Sequence, residues 1–120
     1  LSADPRVSWV SFPGLEGDKY HALAEKYMPN GTCGVISFGV PGGREKVSAF
    51  LDHLKMVSIA THVADARSCT LYPAGTTHRQ LTEEQLIEAG VGIDLVRLSC
   101  GIENAADIIA DLDQALAAVQ

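Results

Sequence analysis

The stretch DLVRLSCGIEN, Asp94 to Asn104, decides how this chain folds. Leu95, Val96 and Leu98 form a short apolar run closed by Gly101, the pattern of a strand at least half covered by other structure. From Asn104 onward, Ile108, Ile109, Leu112, Leu116 and Val119 recur at helical spacing. A covered strand therefore runs into an amphipathic helix capped by Asn104 with Asp107. Inside the strand stands Arg97. A guanidinium held away from water needs a partner, and its planar fork suits a carboxylate. That carboxylate belongs either to one of the chain's fifteen acidic residues or to a ligand. The position ahead of a helix N-terminus leans toward the ligand, because α/β folds gather ligands at strand ends.

Working outward, RVSWVSF reads as a strand of mixed faces ending at Pro13-Gly14. DKYHALAEKYM reads as a helix with Asp18 as N-cap and Tyr20, Leu23, Ala24 and Tyr27 on its apolar side, ended by Pro29-Asn30-Gly31. CGVISFGV is a covered strand, and GREKVSAFLDHLKM a helix with Val47, Phe50, Leu51 and Leu54 on one face. Two short apolar runs follow, Val57 to Ala60 and Cys69 to Tyr72, with a polar loop between them. LTEEQLIEAG carries a capping box, Thr82 with Gln85, and a terminating Gly90. The alternation predicts a two-layer α/β sandwich: a sheet of three or four strands, four helices covering one face, and something else covering the other.

With 120 residues, 47% of them hydrophobic, and a net charge of -6, the chain is expected to form one domain over 1–120. A chain of this size buries roughly two thirds of its unfolded surface, so disulfides are not required. The acidic balance, with pI near 5.0 and no basic cluster, argues against nucleic acid as a partner. No apolar run approaches a membrane span and no leader pattern opens the chain, so no membrane partner and a cytoplasmic location are expected. Cys33, Cys69 and Cys100 lie far apart without paired histidines, a spacing that predicts no metal site, and the apolar neighbours of Cys69 and Cys100 favour small buried thiols in a reducing compartment. The chain starts at Leu1 with Met28 its first methionine, and is expected to be a piece of something longer.

Few other residues suggest chemistry. His78, after Thr76 and Thr77, suits a loop histidine that is solvated or caps a turn, while the two hydroxyls can satisfy loop backbone. His62 stands where a strand breaks into a loop; His21 and His53 suit helix surfaces. Gly42-Gly43 lacks any phosphate-loop pattern and is a tight turn into a helix. No nucleophile elbow is present, so no catalytic residue is assigned. From these considerations alone the chain is an α/β domain with one conspicuous arginine.

The run LYPAGTTHRQLTEEQLIEAGVGIDLVRLSCGIENAADIIADLDQAL, Leu71 to Leu116, closely resembles the C-terminal end of the Cys/Met-metabolism family of pyridoxal-phosphate enzymes, especially the O-acetylhomoserine sulfhydrylases. VSWVSFPGL and the stretch from His21 to Ser68 resemble the same family's small domain, so the likeness covers essentially the whole chain. It implies the C-terminal small domain of a fold-type-I transferase with a mainly antiparallel sheet, a fragment of a longer enzyme. The missing large domain would bind pyridoxal 5'-phosphate through its Schiff-base lysine. None of Lys19, Lys26, Lys46 or Lys55 stands in that lysine's motif, so no cofactor-binding residue is assigned here and the isolated fragment is expected to be inactive.

The resemblance also implies site residues. In the family, the arginine of the VRLSxGIE segment, here Arg97, holds the α-carboxylate of the amino-acid substrate. His62 stands where the family commonly has Ser or Asn beside a Gly-Asp pair, as a second carboxylate contact; here the segment is His62-Val63-Ala64-Asp65. Thr77 is expected near the substrate, and Tyr72 replaces a usual histidine. The implied activity of the intact enzyme is that of an O-acetylhomoserine aminocarboxypropyltransferase. Acetate on O-acetylhomoserine is replaced by sulfide or a thiol on the way to homocysteine and methionine, in a homotetramer. Cystathionine γ-synthase, methionine γ-lyase and O-succinylhomoserine sulfhydrylase are the neighbouring alternatives. A free-standing, non-catalytic domain that binds a ligand or partner is the alternative of another class.

Overall fold

A computed structural model describes residues 1–120. Its elements are β1 (Val10–Ser11), α1 (His21–Tyr27), β2 (Val35–Gly39), α2 (Gly43–Asp52), β3 (Ser58–Ile59), β4 (Cys69–Leu71), a 3₁₀ turn (Pro73–Gly75), α3 (Glu83–Glu88), β5 (Leu95–Ser99) and α4 (Ala105–Ala117). The Leu95–Ser99 run is the middle strand of one sheet in the order β1-β2-β5-β4-β3. β5 pairs antiparallel with β2 on one side and β4 on the other, and only the β3–β4 edge is parallel. The sheet thus has five strands rather than three or four, because two-residue β1 and β3 extend its edges.

Alternation along β5 sorts its side chains. Val96 and Leu98 lie with Phe38 and Ile36 of β2 and Thr70 of β4 on one face, while Arg97 stands opposite Ser37 and Leu71 on the other. The first face is covered by α2 through Val47, Phe50 and Leu51 and by α4 through Ile108, Leu112, Ala115 and Leu116, all in one buried cluster. Phe38 and Phe50 meet edge to face at 6.0 Å, and burying each ring stabilises the fold by about 1.5–3 kcal/mol. Leu86 of α3 joins the same core, its helix started by the capping box foreseen: Thr82 Oγ1 accepts from the Gln85 amide at 3.3 Å, and Gln85 Oε1 from the Thr82 amide at 3.0 Å.

Asp111 is a buried acid on the inner side of α4. Its carboxylate accepts the main-chain amides of Lys55, Met56 and Val57 at 2.8, 2.9 and 2.9 Å, so α4 is tied to the turn that leads into β3. Burial pushes this carboxyl upward, yet the three amides outweigh it and leave its pKa below the usual range.

Two helix readings are corrected. Asp18 does not cap α1, which begins at His21; its carboxylate instead accepts the Tyr20 amide at 2.9 Å and the Phe12 amide at 3.0 Å, closing the preceding turn. Of the apolar residues read onto that helix, only Ala24 is buried. Ile109 of α4 is 66% exposed, and Ala115 takes the inward place. A spacing of three and four cannot say how wide the buried stripe is.

Candidate functional site

Arg97 is half-buried at the centre of the sheet face that α2 and α4 leave uncovered. Its Nη2 donates to the main-chain oxygens of Thr61 at 3.0 Å and His62 at 3.1 Å. Its Nε is buried and has no partner. No acidic side chain of the chain forms an ion pair with it. Of the two carboxylates the sequence left open, the internal one is not used.

The carbonyls that hold Arg97 belong to the Ala60–Ser68 loop, which links the parallel pair β3 and β4 across this face. The Ala60 amide donates to the Thr70 oxygen at 2.9 Å where the loop begins. In mid-loop, the Ala64 amide donates to Ser99 Oγ at 3.2 Å, and Cys69 Sγ reaches the His62 oxygen at 3.0 Å. Ala64 has φ of +56°, the only non-glycine residue of the chain with a positive φ. At the far end, Glu103 accepts from Ser68 twice, from its amide at 2.6 Å and its hydroxyl at 2.8 Å. Ser68 Oγ in turn accepts the Gly101 amide at 2.9 Å, and the Ile102 amide donates to the Ala66 oxygen at 3.0 Å. The two segments run so close that a Cβ on Gly101 would stand 2.4 Å from the Ala66 oxygen.

His62 touches this site through its backbone. Its carbonyl takes Arg97, and its own amide donates no hydrogen bond within the chain. The exposed imidazole places Nδ1 3.4 Å from Asp65 Oδ2, and the Arg67 amide at 3.0 Å from Oδ1 holds the Asp65 carboxyl below its ordinary range. Thr77 lies after the 3₁₀ turn with its hydroxyl 2.9 Å from His78 Nδ1, and no hydrogen bond joins it to Arg97 or His62. Tyr72 is a core residue whose hydroxyl donates to the Ile93 oxygen at 2.8 Å, and burial pushes its phenol upward.

The fold therefore joins Arg97 to His62 and leaves Thr77 in a separate loop. The sequence alone assigns no role to Thr61, Ser68, Ser99 or Glu103. The period of two places Ser99 on the face of Arg97, a usable signal; the pairing of Ser68 with Glu103, thirty-five positions apart, had none.

A family model described as Cys/Met metabolism PLP-dependent enzyme matches residues 1–117. The homocysteine synthase of Schizosaccharomyces pombe is 48% identical over 116 residues, 97% of this chain and 27% of that protein. The O-acetyl-L-homoserine sulfhydrylase of Leptospira meyeri is 44% identical over 117 residues, 97% of this chain and 26% of its own length. A crystal structure described as an O-acetylhomoserine (thiol)-lyase from Campylobacter jejuni superposes with a TM-score of 0.87 at 37% identity, over 97% of this chain and 28% of that one; it contains N'-pyridoxyl-lysine-5'-monophosphate. Cystathionine gamma synthase from Xanthomonas oryzae, in complex with aminoacrylate and cysteine, gives 0.88 at 36% identity, over 99% and 30% of the two chains. The chain spans about a quarter of the length of the curated relatives it matches.

Proposed function

The chain belongs to the Cys/Met metabolism family of PLP-dependent enzymes, and we propose that it is the C-terminal small domain of an O-acetylhomoserine sulfhydrylase. The observation that carries its role is the state of Arg97: a guanidinium with a buried, unpartnered Nε and no acid of its own chain beside it. Such a group is costly unless a carboxylate comes to it, and the substrate's α-carboxylate matches the fork.

In this proposal Arg97 fixes the carboxylate and so orients the substrate's Cα–H, which turns a loose encounter into a positioned one. The free amide of His62 is the second donor to the same carboxylate, and Thr77 lines the substrate cleft. The residues present do not fit the cofactor itself. Lys19 and Lys26 rest over the Tyr20 and Tyr27 rings, Lys46 Nζ donates to the Val119 oxygen, and no lysine side chain hydrogen-bonds to Arg97 or to the loop above it. Pyridoxal phosphate would be held by the rest of the protein, where it would supply an electron sink.

The overall reaction takes O-acetylhomoserine and sulfide, or a thiol, to homocysteine or its thioether and acetate, in a cytoplasmic homotetramer. The test is to give the full-length protein O-acetylhomoserine with sulfide and, separately, with cysteine. Homocysteine formed faster than cystathionine supports the sulfhydrylase; the reverse order assigns the protein to the cystathionine γ-synthases.

A further inference from the structure

The Ala60–Ser68 loop has no helix or strand of its own, yet the placement of the Arg97 guanidinium depends on it. Nη2 keeps its two bonds, now 3.0 and 3.1 Å long, only while the Thr61 and His62 oxygens stay within hydrogen-bonding reach. The start of the loop is set by the sheet, and its middle by neutral bonds, from Ala64 to Ser99, from Cys69 Sγ to the His62 oxygen and from the Ile102 amide to the Ala66 oxygen. Its end is held differently. Ser68 is fully buried, and both its amide and its hydroxyl donate to the Glu103 carboxylate, at 2.6 and 2.8 Å. Bonds to an ionised acceptor are about twice as strong as neutral ones, and a buried amide without an acceptor carries its full desolvation cost. The Ser68 hydroxyl carries the hold on to Gly101, two residues past the end of β5.

We propose that Glu103 is a positioning residue for carboxylate recognition: by closing on Ser68, and through Ser68 on Gly101, it holds the Ala60–Ser68 loop where its carbonyls aim the Arg97 guanidinium at the ligand. The amide of Ser68 is the foremost reason that the Glu103 carboxyl lies below its ordinary range, so the clamp stays ionised at neutral pH. This inference rests on Arg97 being the carboxylate receiver.

The test uses the full-length protein and two probes that lack a leaving group on Cγ, L-norleucine and its carboxamide, with dissociation constants measured by calorimetry. Hydrogen exchange at the amides of residues 61–68 is followed in parallel. The wild type is expected to prefer the acid, and Arg97→Ala to erase that preference. Glu103→Ala should reduce the preference about tenfold, the size expected when a buried donor loses its acceptor, leave carboxamide binding unchanged, and speed exchange in the loop. Glu103→Gln keeps an acceptor for the Ser68 amide and should recover most of the preference. Glu103→Ala binding both probes equally more weakly, or keeping the full preference for the acid, overturns the inference while leaving Arg97 in place. If Arg97→Ala itself keeps the preference, the receiver assignment falls and this inference falls with it.

Discussion

Arg97 holds His62 by its backbone: Nη2 lies 3.1 Å from the His62 oxygen, while the His62 imidazole meets Asp65 at 3.4 Å. The residue at the centre of the sheet and the residue at the turn of the loop are thus joined without a side-chain pair.

Replacing Arg97 tests its place in the site. In the full-length protein, Arg97→Ala should lower kcat/KM for O-acetylhomoserine by about 2–5 kcal/mol of transition-state binding, the usual loss when one member of a desolvated charge pair is removed. Arg97→Lys should recover little, because an ammonium cannot offer two parallel donors. Steady-state kinetics on both variants decide the matter, and an unchanged kcat/KM for Arg97→Ala removes it from the site.

Ala64 carries a backbone angle that suits glycine. The left-handed region costs an L-residue roughly 1–2 kcal/mol, and a glycine in the unfolded chain returns roughly half to one of that as entropy. Ala64→Gly is therefore expected to stabilise the protein by about 0.5–1 kcal/mol in a denaturant titration. A loss of stability would mean that the methyl group makes compensating contacts.

Gly101→Ala should act in the opposite sense. The added Cβ meets the Ala66 oxygen at 2.4 Å and the Arg67 carbonyl carbon at 2.5 Å, both main-chain atoms that cannot swing aside. Relief requires the loop to lift, at a cost of about 1–3 kcal/mol, and carries the Thr61 and His62 oxygens away from Arg97. Lower stability together with weaker binding of a carboxylate ligand is the expected pair of results.

Asp111 links stability to pH. Its folded pKa is lowered, so its contribution is complete at neutral pH and is lost as pH falls through the acid range below the ordinary carboxylate value of about 3.9. Asp111→Asn turns an amide donor toward main-chain N–H groups that formerly shared a carboxylate, and should cost about 1–3 kcal/mol at pH 7. Denaturation at pH 7 and at low pH should show the gap between variant and wild type narrowing as the medium becomes acid.

Expressed by itself, the 120-residue chain is expected to self-associate, since Tyr27, Ile102 and Ile109 are 69%, 86% and 66% exposed. Sedimentation at rising concentration should show a growing fraction of larger species; a constant monomer mass counts against the expectation.

Much of this architecture was legible because it is local. Leu95, Val96 and Leu98 announce their strand, Thr82 and Gln85 their helix start, and Asn104 caps α4 by accepting the Ala106 amide at 2.9 Å, each within a few residues of the signal. Asp18 misled because an Asp before a helical run serves equally well in a turn. Arg97 was conspicuous for its polarity in an apolar run. What surrounds it was not, since Thr61, Ser68 and Glu103 are ordinary residues whose meaning comes from a loop folded back across the sheet.

The oxygens that grip Arg97 belong to the main chain, and every residue type carries the same oxygen. The side chains at positions 61 and 62 can therefore drift without the grip being rewritten. That freedom accounts for how this chain keeps a His-Val-Ala-Asp turn where its resemblance leads one to expect Ser or Asn beside Gly-Asp. The grip depends on the shape of the loop, and leaves its lettering open to variation.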